Sequence, residues 1–295
     1  LCVLVPGRGS RTPAGLKPEV YFMSLNRVAI TGAGLLSPVG LDPSQALESL
    51  RTTRSGIRLL EAPPLKKSFA AGVVPEVFED RFTGLERPFL DRCQHLAILA
   101  ARQALDEAGL PEDLSAFGQR AGVYYGNVNG GAATAYAWSQ DLLLKGKQAA
   151  RPFTAMAIMG NAGAAQVAIR NKIHGPVISN ASACASSGVA IGEAARAITH
   201  GYLDVALAGG AEAPLTPGVI GTFQGTRAMA SPDPDDPAKT CKPFSSGRSG
   251  LVLGEGAAWV VLESEANVRR RGAPILGYLS GYGISSDSTH IGMPD

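Results

Sequence analysis

Val177-Ile178-Ser179-Asn180-Ala181-Ser182-Ala183-Cys184-Ala185-Ser186-Ser187-Gly188 reads as an apolar, β-favouring approach that gives way to small residues. An alanine-rich helical pattern follows from Val189 through Thr199 and is stopped by Gly201. Cys184 therefore stands at a strand-to-helix junction. There the positive end of the helix dipole favours a thiolate, the form of cysteine that attacks electrophiles. Its small neighbours leave room for an acyl group and for backbone N–H donors to approach the sulfur closely. The arrangement predicts a nucleophile that takes up an acyl group as a thioester. The junction alone also fits an inert packing cysteine, the commonest role of this residue type.

Working outward, strand and helix alternate along the chain. Arg27–Thr31 is a buried-strand run, and Gly32-Ala33-Gly34 is expected to turn the chain at its end. That Gly-Xaa-Gly lacks the third glycine of a dinucleotide-binding turn, and Pro38 interrupts the segment behind it. Asp42-Pro43-Ser44 opens a short helix, with Asp42 as cap and Pro43 in the first position. Residues 56–88 read as irregular and proline-dotted. Residues 91–108 form an amphipathic helix with Leu96, Leu99, Ala100 and Leu105 on one side and Gly109 as its stop. His95 on this helix reads as a surface or satisfied structural group rather than a ligand.

A strand over Ala121–Tyr125 runs into the loop Gly126-Asn127-Val128-Asn129-Gly130-Gly131. Met156–Ala168 reads as a helix of small residues and methionines, suited to an adaptable apolar wall that includes Ile158. Asp204–Ala208 is a further strand that ends in Gly209-Gly210-Ala211-Glu212. A turn-rich stretch with Pro232, Pro234 and Pro237 precedes strands at Ala257–Leu262 and Pro274–Tyr282, which flank a charged helix, Glu263–Arg271. The alternation predicts an α/β fold with a mostly parallel sheet covered on both faces.

Composition narrows the function. The 295 residues carry a formal charge of +2 with no basic stripe, so nucleic acid is not implied. Cys2, Cys93, Cys184 and Cys241 are too widely spaced for a disulfide framework or a zinc pattern, which fits a reducing, cytoplasmic setting. No apolar run approaches the roughly 18 residues that cross a bilayer, so no membrane partner is expected. Residues 1–22 carry Pro, Gly and Arg without periodicity and read as a disordered upstream extension, with Met23 as the start. The chain stops at Pro294-Asp295 directly behind a strand-like segment and is expected to be a fragment.

Several of these pieces recur together in a known order: Arg27-Val28-Ala29-Ile30-Thr31-Gly32, Ser37-Pro38-Val39-Gly40, Ser55-Gly56-Ile57, Ala183-Cys184-Ala185, Ala208-Gly209-Gly210-Ala211-Glu212, Lys242-Pro243-Phe244, Gly254-Glu255-Gly256-Ala257 and Ser285-Ser286-Asp287. With them the chain resembles the β-ketoacyl-[acyl carrier protein] synthases, the elongating condensing enzymes of type II fatty acid synthesis and their polyketide relatives. The resemblance runs from about Asn26 to Asp295. It implies a thiolase-like fold of layered αβαβα architecture. Residues 23–273 would form the N-terminal half, and residues 274–295 would begin a truncated C-terminal half.

It further implies a homodimer that needs no metal or redox cofactor and takes acyl- and malonyl-loaded acyl carrier protein as partners. Cys184 becomes the acyl-accepting catalytic residue, with its backbone N–H in the oxyanion hole. Asn129, Ile158 and His290 become candidate substrate contacts. Asn129 falls where relatives have an apolar residue, and its amide points to a short or functionalised acyl chain. The family's two catalytic histidines and lysine lie in motifs that none of His95, His174, His200 or His290 occupies, so the chain alone is expected not to condense. Ser245 and Ser249 stand around Arg248 where relatives have acidic residues. Glu212 and Glu255 fit either a general base or, preferably, a carboxylate bonded to backbone N–H groups; the glycines at 209, 210, 254 and 256 read as packing and turn positions. A catalytically silent heterodimer subunit and a thiolase-like acyl-CoA enzyme remain the alternatives.

Overall fold

The computed structural model describes residues 25–75, 81–84 and 86–290. The expected upstream extension over residues 1–22 and the start at Met23 lie outside these residues, as do the last five of the chain. In chain order the elements are β1 (Val28–Leu36), α1 (Pro43–Arg51), β2 (Ile57–Leu60), β3 (Phe69–Gly72), α2 (Arg92–Ala108), β4 (Ala121–Gly126), α3 (Ala132–Lys145), α4 (Thr154–Ile158) and α5 (Ala162–Arg170). They continue as β5 (Val177–Asn180), α6 (Ser186–Thr199), β6 (Val205–Glu212), α7 (Pro217–Gly225), β7 (Leu253–Gly254), β8 (Gly256–Ser264), α8 (Glu265–Arg271) and β9 (Gly277–Leu279). No helix among the described residues is long and apolar enough to cross a membrane.

Six strands form one sheet in the order β5-β4-β6-β8-β1-β9. β4 runs parallel to both β5 and β6, whereas β8 runs antiparallel to β6 and β1, and β9 antiparallel to β1. The expectation of a mostly parallel sheet is thus corrected to a mixed one. The cause is the connection from β6 to β8, which leaves the sheet through α7 and β7 instead of a single crossover helix and returns in the opposite direction.

Helices cover both faces. α2 and α5 pack on one face and α6 on the other. β6 shows how the sequence permits this: Val205 and Leu207 join the core under α2 and α5, while Ala206 and Ala208 join the core under α6. A strand buried on both sides must be apolar at every position. Each fully buried side chain of the size of Leu207 or Val261 contributes about 1.5–3 kcal/mol relative to exposure.

Five other expectations change. The strand begun at Arg27 does not turn at Gly32-Ala33-Gly34 but continues to Leu36, with a register shift between Ile30 and Gly32. A Cβ at Gly32 or Gly34 would overlap the carbonyl oxygens of Ala104 and Ala100, so these glycines let α2 lie on the strand backbone. Likewise β6 runs on through Gly209 and Gly210 to Glu212. The 56–88 region holds β2 and β3, which with β7 make a small second sheet in the order β2-β3-β7. The helix expected over Met156–Ala168 is two, α4 and α5, broken at Met159-Gly160-Asn161. There the Ile158 carbonyl accepts from Gly131 N at 3.1 Å instead of extending the helix. The last strand is shorter than expected, Gly277–Leu279.

Caps follow the sequence more closely. Asp42 accepts from Gln45 N with Pro43 behind it, Asp91 opens α2 with a capping box, and Gly109 closes α2 at φ 63°. His95 is buried, its ring 4.6 Å from that of Phe82, so it is structural and not at the surface.

At the end of the sheet near α8, Glu263 is fully buried. It accepts from Arg271 Nε at 2.9 Å and Nη2 at 2.5 Å, from Thr31 Oγ1 at 2.5 Å and from Asn267 Nδ2 at 2.5 Å. Arg271 also donates to the Ala108 carbonyl at 2.7 Å, which ties the end of α2 into the same knot. Removing one member of such a pair strands the other charge. Glu263→Ala is expected to cost about 3–5 kcal/mol in equilibrium urea unfolding, and Glu263→Gln less, because the amide still accepts one of these bonds.

Candidate active site

β5 ends at Asn180, Ala183–Ala185 form a short 3₁₀ turn, and α6 starts at Ser186. Cys184 sits in this turn and is exposed, whereas Cys93 is buried. Ala183 has φ 49°, a left-handed conformation that costs an L-residue about 1–3 kcal/mol and that the surroundings must enforce. They do so with a set of local bonds. Ser186 Oγ donates to the Ala183 carbonyl at 2.6 Å and Ala185 N to the Ser182 carbonyl at 3.1 Å. Asn180 Nδ2 donates to the carbonyls of Ser186 at 3.0 Å and Tyr125 at 3.3 Å, tying α6 to β4 and β5. Gly126 completes the fit, since a Cβ there would overlap the Ser186 backbone.

The turn places Cys184 in the wall of a cavity of about 500 Å³. The cavity lies at the C-terminal ends of β4, β5 and β6, where open α/β sheets bind ligands. Its remaining walls are mostly apolar and include Leu36, Pro214, Phe223 and Leu253. Sequence reading missed Phe223 and Leu253. They belong to the long excursion between β6 and β8, which carries no periodic signal that would return it to Cys184. Gly210 and Gly256, read as packing positions, also line the cavity.

The loop from Gly126 to Gly131 brings Asn129, half-buried, to the same cavity. Asn127 is buried and fixes the loop by donating from Nδ2 to the Ala211 carbonyl at 2.7 Å and accepting from Gly130 N at 2.7 Å. The Glu212 carboxylate, also in the wall, accepts from Val128 N at 2.8 Å and Asn129 N at 3.1 Å. Glu212 is therefore the backbone-bonded carboxylate preferred above. Glu255 is buried and accepts from Val74 N at 3.0 Å, but its main partner is Arg92, at 2.8 Å from Nε and 2.7 Å from Nη2.

The other two candidates lie elsewhere. Ile158, half-buried at the end of α4, touches the loop through its backbone, and the described cavity wall does not include its side chain. His290 is exposed in the segment after β9 and is likewise absent from that wall. Arg248 donates to the Ser245 carbonyl at 2.9 Å and makes no ion pair among the described residues. The two thiols of interest differ sharply in setting: burial, reinforced by Asp91, pushes the Cys93 thiol well up and keeps it protonated, whereas Cys184 opens on the cavity.

Comparison with known proteins agrees with this geometry. Residues 25–267 match the family described as β-ketoacyl synthase, N-terminal domain. Nodulation protein E of Rhizobium meliloti (strain 1021) is 38% identical over 273 residues, which cover 91% of this chain and 65% of that protein. The 3-oxoacyl-[acyl-carrier-protein] synthase 2 of Staphylococcus aureus (strain COL) is 34% identical over 276 residues, 92% of this chain and 66% of that one. The chain thus spans just under two thirds of the length of these relatives. Among solved structures, a β-ketoacyl synthase from Burkholderia phymatum STM815 superposes with TM-score 0.81 at 30% identity, over 92% of this chain and 67% of its own. A type II PKS ketosynthase in complex with its acyl-carrier protein and bound to the hexaketide superposes with TM-score 0.74 at 29% identity, over 87% and 62%. On sequence and fold alike, the chain belongs to the β-ketoacyl synthase family.

Proposed function

We propose that the protein is a 3-oxoacyl-[acyl carrier protein] synthase acting in fatty acid or polyketide chain elongation, with Cys184 as its acyl-accepting nucleophile. The carrying observation is an exposed cysteine on a strained turn, in the wall of an otherwise mostly apolar cavity. In the first half-reaction the Cys184 thiolate attacks the carbonyl carbon of a carrier-bound acyl thioester. A new carbon–sulfur bond forms, the bond to the carrier's sulfur breaks, and the carrier leaves as its thiol after taking up a proton. The Cys184 backbone N–H supplies part of the oxyanion hole for the tetrahedral intermediate.

In the second half-reaction malonyl-carrier loses CO₂. The electron pair left behind attacks the acyl–Cys184 carbonyl carbon and expels the thiolate, giving a 3-oxoacyl chain two carbons longer. No histidine lines the described cavity, so the residues assigned here carry the acyl-transfer half. In this reading residues 23–273 are the N-terminal half of a thiolase-like enzyme, and residues 274–295 begin the second half. The protein works in the cytoplasm as a homodimer with acyl carrier protein as its partner. The open outer edge of β5, where Val177 and Ile178 are exposed, supports the dimer. The named ketosynthase complex with acyl-carrier protein supports that partner.

Asn129 sets the acyl preference. A long alkyl tail against its amide leaves the amide unpaired, at a cost of about 1–3 kcal/mol. His290 and Ile158 are secondary candidates for substrate contact.

Two outcomes follow for the full-length enzyme. Intact-mass analysis after incubation with acyl-carrier is expected to show one acyl group on Cys184 and none in Cys184→Ala; iodoacetamide should label Cys184 but not the buried Cys93. Loading of the Ala variant equal to that of the wild type would overturn the assignment. Asn129→Leu is expected to raise loading of long relative to short acyl chains by about tenfold, the equivalent of ~1.4 kcal/mol. A wild-type preference for long chains would reverse the role given to this amide.

A further inference from the structure

The buried carboxylate of Asp91, 1% exposed, serves two helices at once. Oδ1 accepts from Cys93 N at 2.9 Å in the first turn of its own helix, α2. Oδ2 accepts from Thr134 N at 2.7 Å in the first turn of α3, whose own N-cap, Gly131, has no side chain to do so. Two helix N-termini thereby converge on one carboxylate, the charge their dipoles favour. Gly131 permits the approach, because a Cβ there would overlap the Ala157 carbonyl oxygen and press on Asp91.

Two neighbours on the same turn of α2 reinforce the link. Cys93 Sγ donates to the Gly130 carbonyl at 3.2 Å, and Gln94 Nε2 donates to the Ala157 carbonyl at 2.6 Å. The loop that carries Asn129 is therefore held at both ends: Glu212 binds its N-terminal part, and the α2 turn holds its exit into α3. Arg92, between Asp91 and Cys93, donates to Glu255 and to the Val74 carbonyl.

We propose that Asp91 is a positioning residue for the acyl cavity: by capping α2 and α3 together it fixes where Asn129 stands and so how large an acyl chain Cys184 accepts. Its specificity consequence rests on the acyl-transfer reading above, while the loop placement does not.

The test separates these two parts. Asp91→Ser keeps a good cap for α2 but offers one oxygen where the carboxylate offers two, so it releases α3. Thr134→Pro removes the same bond from the other side and is tolerated in a first helical turn. In the full-length enzyme, amide hydrogen exchange in residues 127–134 is expected to quicken by about tenfold in both variants, while residues 98–108 of α2 exchange as before. The long-to-short loading ratio at Cys184 should shift at least about threefold, whereas a Thr31→Val control, which loosens the distant Glu263 knot, leaves it unchanged. Unchanged exchange in 127–134 would overturn the positioning role. A loosened loop with an unaltered loading ratio would overturn the specificity role. Absence of any acyl–Cys184 in the wild type would instead refute the acyl-transfer reading, and exchange would still decide whether Asp91 holds the loop.

Discussion

The first turn of α6 lies directly against the backbone of β4, and only the small hydroxyl of Ser187 stands between it and β6. At Gly126 and Gly210 a Cβ would overlap Ser186 and Ser187, and the local sequence of small residues is the condition for that contact. Everything chemical in the structure depends on this closeness. It fixes where the helix begins, and hence where the 3₁₀ turn before it can carry Cys184. It also brings the ends of β4 and β6 to the same side as the thiol, so that the loop after β4 and the carboxylate after β6 meet in one cavity wall. Larger residues at these positions would push α6 outward and separate the sulfur from the cavity.

Much of this was legible locally. The junction at Cys184, the caps at Asp42 and Asp91 and the stop at Gly109 depend on neighbours a few residues away. What was not legible depends on partners far along the chain. Gly32-Ala33-Gly34 looks like a turn because glycine usually marks one; its real cause, the carbonyls of Ala100 and Ala104, is some 70 residues distant. The direction of β8 is invisible in a pattern of alternating strands and helices, because a run of apolar residues has the same composition read either way. The break between α4 and α5 likewise follows from a bond to Gly131 that no helical periodicity encodes.

The candidate site divides along the same line. Cys184 was found from its strand-to-helix junction and Asn129 from its place in a resemblance, and the fold brings both to one cavity. Ile158 and His290 were likewise chosen for their place in that resemblance, and the fold gives them no wall position among the described residues. Phe223 and Leu253 close the apolar side, yet they are ordinary hydrophobic residues in a stretch without rhythm. Membership of the β-ketoacyl synthase family accounts for the order of the motifs. The polar amide of Asn129 and the thiol of Cys93 both belong to or border the same loop.

The left-handed alanine at position 183 carries an implication for how the surroundings of Cys184 can vary. Because the main chain itself aims the sulfur, the bearing of the thiol does not depend on any bulky neighbour holding it in place. The restriction falls instead on the genetic alphabet at the preceding codon: glycine, alanine, serine and asparagine can adopt that bend, while valine, isoleucine and threonine cannot without reshaping it. The cavity can therefore vary around the sulfur, provided that residue 183 keeps its bend and residues 126 and 210 stay glycine.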